Sequence, residues 1–421
     1  MSFLCAFCIV NCLKGDIMQK IRFGANYIPS KNWLHNWVDF DAASVEEDLY
    51  AAKELGIDHI RAHIMWHYFQ IDPTKMSSVC IKNLEHFVRI CEKVDMDYHL
   101  SLFTGFMSGL FFYPAWIKKH SGKFEGVFTN PASIAAEKYF IREIAKIVGD
   151  SPNFLGFDLG NELSCIALQD NSIERRGSCD KWNREMLSLC EELVPNKLHT
   201  NGVDHMPWFD NIGFSCRELA NTGAMTSLHC YSVFTGALER FGRMSTESIH
   251  LAPFMQELAD AYCESNNRLY CVQEFGTASD VWDDEMVEFV KASIEAMYTQ
   301  NNLWGITWWC THNISREFSA FDKIEYELGL LDINNKPTKA GLLFAEIVKK
   351  YRENPVAPPV RNSAFVLKEN IEGVRGADTR WENGHKYAEY VRQGIYPKII
   401  LPEKVNDAEY LRSRGIEKIL T

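Results

Sequence analysis

With 421 residues, 46% of them hydrophobic, the chain can bury one large core plus a small appendage, which excludes a largely disordered protein. Its formal net charge of -12 argues against a nucleic acid or an anionic membrane as partner, since either needs a basic face, and favours a neutral ligand. The 13 cysteines are an odd number and, beyond Cys5, Cys8 and Cys12, are scattered singly with no paired CxxC, so they read as reduced thiols of a cytoplasmic protein and not as disulfides or a structural zinc site.

Residues 1–17 read as an extra N-terminal segment. Their apolar stretch of about ten residues has no basic run before it and no small-residue cleavage site, so a signal peptide is not expected. No other stretch approaches the ~20 apolar residues of a membrane span. From residue 18 onward, short β-rich runs alternate with longer amphipathic ones, the pattern of parallel strands joined by helices. The strands are expected at "IRFGANY" (21–27), "DHIRAHIMW" (58–66), "DYHLSLFTG" (97–105), "FLGFDLGNE" (154–162), "KLHTNGVD" (197–204), "MTSLHCY" (225–231), "RLYCVQEFG" (268–276) and "WGITWWC" (304–310). Of the helices between them, "SVEEDLYAAKELG" (44–56) opens on Ser with an acidic first turn and stops at Gly. The others are expected at 81–94, 132–149, 253–265, 284–300 and 339–351.

Eight strands with intervening helices predict a (β/α)8 TIM barrel over residues 18–352. The alternative, an open doubly wound sheet, would want a GxGxxG after the first strand, and none is present. The Pro-rich "RENPVAPPVRN" after Tyr351 reads as a linker, and the rest of 353–421 as a short α/β C-terminal extension in the order helix, strand, helix, strand. This is too little to build a sheet core alone. It is therefore expected to dock on the barrel or on a second subunit, which makes a homo-oligomer joined through it one expectation.

Chemistry in such a barrel collects at the C-terminal ends of the strands. Asn161 and Glu162 close the strand at 154–162, His229 and Tyr231 the strand at 225–231, and Glu274 lies at the end of 268–276, with Trp308 and Trp309 on the last strand and Arg61 early on the second. Two glutamates on one barrel mouth suit retaining glycoside hydrolysis, in which one protonates the leaving oxygen and the other, ~5–5.5 Å away, attacks the anomeric carbon. Asn161 is suited to a sugar 2-hydroxyl, Tyr231 to donating to Glu274, and Trp309 to stacking on the ring, while His229 can orient either carboxylate. Arg61 beneath Glu274 is expected to lower its pKa and leave Glu162 with the raised one. Adjacent strand residues face opposite sides, so Trp308 is assigned to the core. His59, His63 and His67 sit in a run that reads as strand and do not predict a metal site.

In this order, "GFDLGNE", "SLHCY", "VQEFG" and "GITWWC" resemble the clan A retaining glycoside hydrolases, most closely family 5, over residues 20–351. The resemblance implies Glu162 as acid/base, Glu274 as nucleophile, and Arg61, Asn161, His229, Tyr231 and Trp309 as the residues around a β-linked oligosaccharide, with no cofactor and no metal. The stretches "GANYIPSKNW" and "LFTGFMSGLFFYPAW" are similar to a β-mannanase-like branch. One departure is "SLFTG" at the third strand end, where many family 5 cellulases carry a histidine; His99 lies too early in the strand to replace it. The resulting expectation is hydrolysis of β-mannoside or β-glucoside oligosaccharides. An inactive carbohydrate-binding barrel, a β-galactosidase-like exo-enzyme and a metal-dependent barrel hydrolase are the alternatives.

Overall fold

The computed structural model describes residues 20–117, 126–170, 172–173, 176–210, 212–277, 283–369 and 377–421. The expected N-terminal segment 1–17 lies outside them. Seven parallel strands form the barrel wall: β1 (Arg22–Asn26), β2 (His59–Met65), β3 (Asp97–Thr104), β4 (Phe154–Asp158), β5 (Met225–His229), β6 (Leu269–Phe275) and β7 (Leu303–Trp308), in the order β4-β3-β2-β1-β7-β6-β5. Every residue of β2 and of β7 is buried, as befits parallel strands covered on both faces.

The stretch expected as a strand at 197–204 closes the gap between β4 and β5 without forming a full ladder. Leu198 and Thr200 donate their N–H groups to Leu155 and Phe157 at 2.7 and 2.8 Å, and on the other side Ala224 N–H reaches His199 O at 2.8 Å. A single parallel rung, Asp158 to Thr200, is formed. The reason lies in two side-chain and backbone features. The His199 imidazole, rather than a main-chain carbonyl, accepts from Phe157 N–H (3.0 Å), and Gly202 turns the backbone to φ +65. With this segment as its eighth stave, the fold is a (β/α)8 barrel.

The six expected helices are present with shifted ends, and two more, Leu163–Gln169 and Asp180–Leu193, lie where none was expected. The first, α1 (Ala42–Glu54), begins two residues earlier than expected because Asp41 is the cap, its side chain accepting from Ser44 N–H, and the chain leaves it through Gly56 at φ +84. Next come α2 (Ser78–Val94), α3 (Pro131–Val148), α4 (Leu163–Gln169), α5 (Asp180–Leu193), α6 (Leu251–Tyr262), α7 (Asp284–Tyr298) and α8 (Lys339–Glu353). No helix of the described residues is long and apolar enough to cross a membrane.

The C-terminal extension contains a strand the sequence reading passed over. β8 (Ser363–Val366) directly follows the linker and is too short to show an alternation; it is the centre of a parallel sheet with β9 (Lys398–Ile400) and β10 (Lys418–Leu420), beside α9 (Ala377–Arg392). The unit docks on the barrel. Arg361 and Glu257 form a buried ion pair (3.2 Å), Arg414 reaches Asp260 (2.5 Å), and Trp381 packs on Phe241 and Phe209 with ring centroids 5.3 and 6.4 Å away. Helix α6 is enclosed as a result, with eleven of its twelve residues buried, so its apolar residues wrap all round where an outer barrel helix would expose one face. Truncating Trp381 to Ala should lower the unfolding free energy by about 3–5 kcal/mol, as for other buried Trp truncations. Urea unfolding followed by fluorescence checks this, and an unchanged midpoint would mean that the extension is not seated as described.

Candidate active site

The register of the barrel brings the polar residues of five staves together. Asn26 stands opposite Arg61 across β1 and β2, and Glu274 opposite His229 across β6 and β5. Arg61 is buried below the mouth. Asp158 Oδ2 sits between its Nε (2.8 Å) and Nη2 (2.6 Å), while Nη1 donates to Glu274 Oε1 (2.7 Å) and to Asn26 Oδ1 (3.1 Å). Asp158, to which the sequence assigned no role, is thus the counter-ion of this arginine. Arg61 is not among the residues that line the cavity above; its contacts are with Asp158, Glu274 and Asn26, so it acts on Glu274 from below.

Glu274 is fixed through both oxygens. Tyr231 donates its hydroxyl to Oε2 (3.0 Å), and Arg61 holds Oε1. Glu162 is held less tightly. It follows β4 in a left-handed conformation (φ 48, ψ 54) at the start of α4, and its Oε1 contacts His229 Nδ1 at 3.2 Å. Its side chain is 19% exposed against 4% for Glu274. The other ring nitrogen of His229, Nε2, lies 3.0 Å from Gln273 Oε1, and Nδ1 lies 3.5 Å from Glu274 Oε1, so the imidazole stands between the two carboxylates. Like Arg61, His229 is enclosed beneath the cavity wall and does not line it.

A cavity of 280 Å³ opens above these groups at the C-terminal end of the strands. Asn161, Glu162, Tyr231, Glu274 and Trp309 all reach it. Asn161 Nδ2 donates to Phe106 O (3.0 Å), and among the described residues its buried Oδ1 has no hydrogen-bond partner. Trp308 is in the core with Nε1 donating to Leu328 O (3.0 Å), and Trp309 presents its ring to the cavity.

The remaining walls come from loops that the sequence reading did not assign. The hairpin Phe106–Phe111 contributes Phe106 and Ser108, the segment after 198–202 contributes Asp204 and His205, and the turn around 322–328 contributes Ile324 and Glu325. Asp204 had a legible signal, since it ends the expected strand at 197–204. Within the stretch "LFTGFMSGLFFYPAW", residues 109–116 enter the wall only through Gly109. His99 is buried beside Trp304 and His59, low in the barrel and away from the cavity.

The charges follow from this placement. Burial raises the Glu274 carboxyl most; the His229 charge opposes it, Glu162 reinforces it, and Arg61 and Tyr231 oppose it, with a net upward shift. For Glu162 burial also acts upward, but the hydrogen bond and charge of His229, then His205 and Arg61, carry it below the usual carboxylate value. His229 is lowered by burial and raised more by Glu274 and Glu162. This order is the reverse of the one expected from the sequence. Glu274 is the deeper carboxyl, and the imidazole stands closer to Glu162, so His229 outweighs Arg61 in setting the difference. Among the described residues, the groups close enough to share a cation are Glu162, Cys165 and Asp204, and Glu162, His229 and Glu274.

No family model matches the chain, and no curated protein matches it either. Solved structures do. A GH5_18 structure from Streptomyces cattleya, in complex with Manβ1-4GlcNAc, is 30% identical with a TM-score of 0.89, covering 96% of this chain and 99% of its own. A GH5_18 structure from Bifidobacterium longum subsp. infantis is 28% identical with a TM-score of 0.87, covering 96% and 97%. A third, from Bifidobacterium longum subsp. longum ATCC 55813 and also in complex with Manβ1-4GlcNAc, is 26% identical with a TM-score of 0.85, covering 95% and 96%. The likeness therefore runs through barrel and extension alike, and the chain belongs to glycoside hydrolase family 5, in the subfamily written GH5_18.

Proposed function

We propose that this protein is a retaining, exo-acting β-mannosidase that removes mannose from short β-1,4-linked oligosaccharides such as Manβ1-4GlcNAc, with Glu274 as nucleophile and Glu162 as acid/base. The observation that carries this reading is the separation of the two glutamates. Their closest carboxylate oxygens lie within 4.8 Å, with His229 between them. That spacing suits direct attack by one carboxylate and leaves no room for the water that an inverting pair, roughly 6.5–9.5 Å apart, would hold.

In the first step Glu274 Oε attacks the anomeric carbon while the bond to the leaving oxygen breaks, and the Glu162 proton passes to that oxygen. In the second, water attacks the same carbon, Glu162 takes up its proton, and the bond to Glu274 breaks. Glu274 is suited to the first role because Arg61 and Tyr231 hold both its oxygens and leave one direction of attack. The proton for Glu162 comes from its contact with His229. With Nε2–H donated to Gln273, the Nδ1 to Oε1 hydrogen bond holds one proton, which the charges place on the imidazole. Its transfer across 3.2 Å yields the neutral acid and a neutral imidazole without changing the net charge of the site. Asn161, in the cavity wall beside Glu162, meets the sugar 2-hydroxyl, and Trp309 supplies the flat apolar face.

Exo action is supported by the size of the cavity. Its 280 Å³ lies at the small end of the roughly 300–1,000 Å³ typical of ligand pockets, which suits a terminal sugar and its neighbour better than a polymer. Phe234 and Ile324, 53% and 41% exposed at the mouth, offer apolar surface for the acetamido methyl of a GlcNAc leaving group. The choice of mannose rests on the two GH5_18 neighbours that hold Manβ1-4GlcNAc. The described cysteines form no disulfide with one another, which suits a cytoplasmic enzyme working on short oligosaccharides.

Two outcomes are expected. Glu274→Ala should lose on the order of 10⁴-fold or more of kcat on an aryl β-mannoside, and added azide should restore turnover with an α-mannosyl azide as product; a β-azide product, or full residual activity, would remove Glu274 from the nucleophile role. On a panel of aryl β-glycosides, Manβ1-4GlcNAc and β-1,4-mannan, the wild type should release mannose from the chain ends only. Dialysis against EDTA should leave that rate unchanged, and internal cleavage of mannan or loss of activity on chelation would each contradict the reading.

A further inference from the structure

Asp204 is a carboxyl that the proposed mechanism does not use, although it shares the cavity with Glu162. Its position is fixed by the backbone before it. Gly202 packs so closely on the end of β4 that a Cβ there would lie 1.9 Å from Gly160 O and 2.1 Å from Asp158 Oδ1. The eighth stave is thereby pressed against the turn that carries Glu162. Asp204 is 2% exposed; its Oδ1 accepts from Met206 N–H (2.7 Å), and its Oδ2 accepts from the Cys165 thiol (3.4 Å). One of its oxygens lies within 4.8 Å of a Glu162 oxygen.

We propose that Asp204 is a positioning residue for the proton shared by His229 and Glu162: its carboxyl, buried within 4.8 Å of Glu162, adds a negative charge on ionising that holds this proton at the pair. The proposal rests on the reading of Glu162 as acid/base. The groups acting on Asp204 are Glu162, which disfavours its charge, and the Met206 N–H, His229 and Cys165, which favour it; His205 next to it acts on Glu162, and Glu325 stands on the other side of the same cavity. Burial, then the Glu162 charge, move it up to about 7. Two carboxyls this close do not both ionise readily, so each proton lost from one raises the other. When Glu162 gives its proton to the leaving oxygen, Asp204 is the neutral neighbour that tolerates the new charge. At alkaline pH the ionised Asp204 makes the His229–Glu162 pair harder to deprotonate.

The bland alternative is that Asp204 merely ties the turn at Met206. Asp204→Asn separates the two, because the amide oxygen still accepts from Met206 N–H while the charge is gone. The pH profile of kcat/KM is measured for wild type and variant on two aryl β-mannosides: a 4-methoxyphenyl glycoside, whose departure needs a proton, and a 2,4-dinitrophenyl glycoside, whose departure does not. The expected result is an alkaline limb moved to lower pH by on the order of one unit on the first substrate and no movement on the second. An unmoved limb on the first substrate, or an equal shift on both, overturns the proposal. Glu162→Ala on the same pair keeps the two readings apart. A loss confined to the 4-methoxyphenyl substrate upholds the acid/base reading whatever Asp204→Asn shows, and an equal loss on both removes that reading and this proposal with it. If Asp204→Asn does not fold, Asp204→Ser, which also keeps an acceptor near Met206, is measured by the same profile.

Discussion

The Arg61 guanidinium is the cation around which the mouth of the barrel is assembled. Two carboxylates, Asp158 and Glu274, meet it below the cavity, and each would be expensive to bury alone, by several kcal/mol. The planar fork matters as much as the charge. Asp158 takes Nε and Nη2 and so fixes the plane of the group, which leaves Nη1 aimed at Glu274 Oε1. Asn26 supports the same nitrogen from β1 and is itself anchored through Nδ2 to the carbonyls of Gln273 and Trp308. Strands β1, β2, β4, β6 and β7 are thus tied by one polar cluster. Glu274 inherits that rigidity, and Glu162, with a single contact to His229, does not. The asymmetry fits the roles proposed for them, since a nucleophile gains from fixed aim and an acid/base must serve two oxygens in turn.

The C-terminal extension takes part in this arrangement through the loop after β5. That loop carries Tyr231 and Phe234 into the cavity wall and then runs to Phe241, which stacks on His385 (5.9 Å) and meets Trp381 edge-on. His385 and Arg392 in turn both reach Glu247 on the barrel side. The extension therefore braces the element that holds one oxygen of Glu274, and its near-complete coverage in the GH5_18 neighbours agrees with a shared unit of barrel and extension.

How far the sequence could be read depended on the range of the interaction involved. Strand and helix order follow from local pattern, and the polar residues at strand ends stand out against apolar neighbours, as with Asn161, Glu162 and Glu274. The eighth stave was legible as a strand but not as an irregular one, because its departure from the ladder is set by contacts of His199 and Gly202 with β4, more than 40 residues away in the case of His199 and Phe157. Burial was the other gap. Arg61 beneath Glu274 and His229 beside the carboxylates are legible as charges, but that both lie below the cavity wall depends on which loops fold over them. The same gap produced the reversed order of the glutamate pKa values: a sequence shows that an arginine stands near Glu274, but not that Glu274 is the deeper carboxyl or that the imidazole is nearer to Glu162.

The buried charges can be followed as a count of protons. Arg61 and Asp158 cancel, which leaves Glu274, Glu162 and Asp204 as acids and His229 as the base among the residues that meet at the mouth. If all three acids were ionised, one imidazolium would face three negative charges in a site largely closed to water. Burial, and then the charge of Glu162, push Glu274 and Asp204 upward against the opposing charge of His229, while Glu274 and Glu162 raise His229 against its burial. Glu162 is the exception because it is the group closest to the imidazole. The proton that an acid catalyst must deliver is thus kept at the site by the surplus of negative charge, and the 3.2 Å contact between His229 and Glu162 decides where it rests. An uncharged sugar entering the cavity displaces water without adding charge, so it strengthens these interactions and leaves the proton count unchanged.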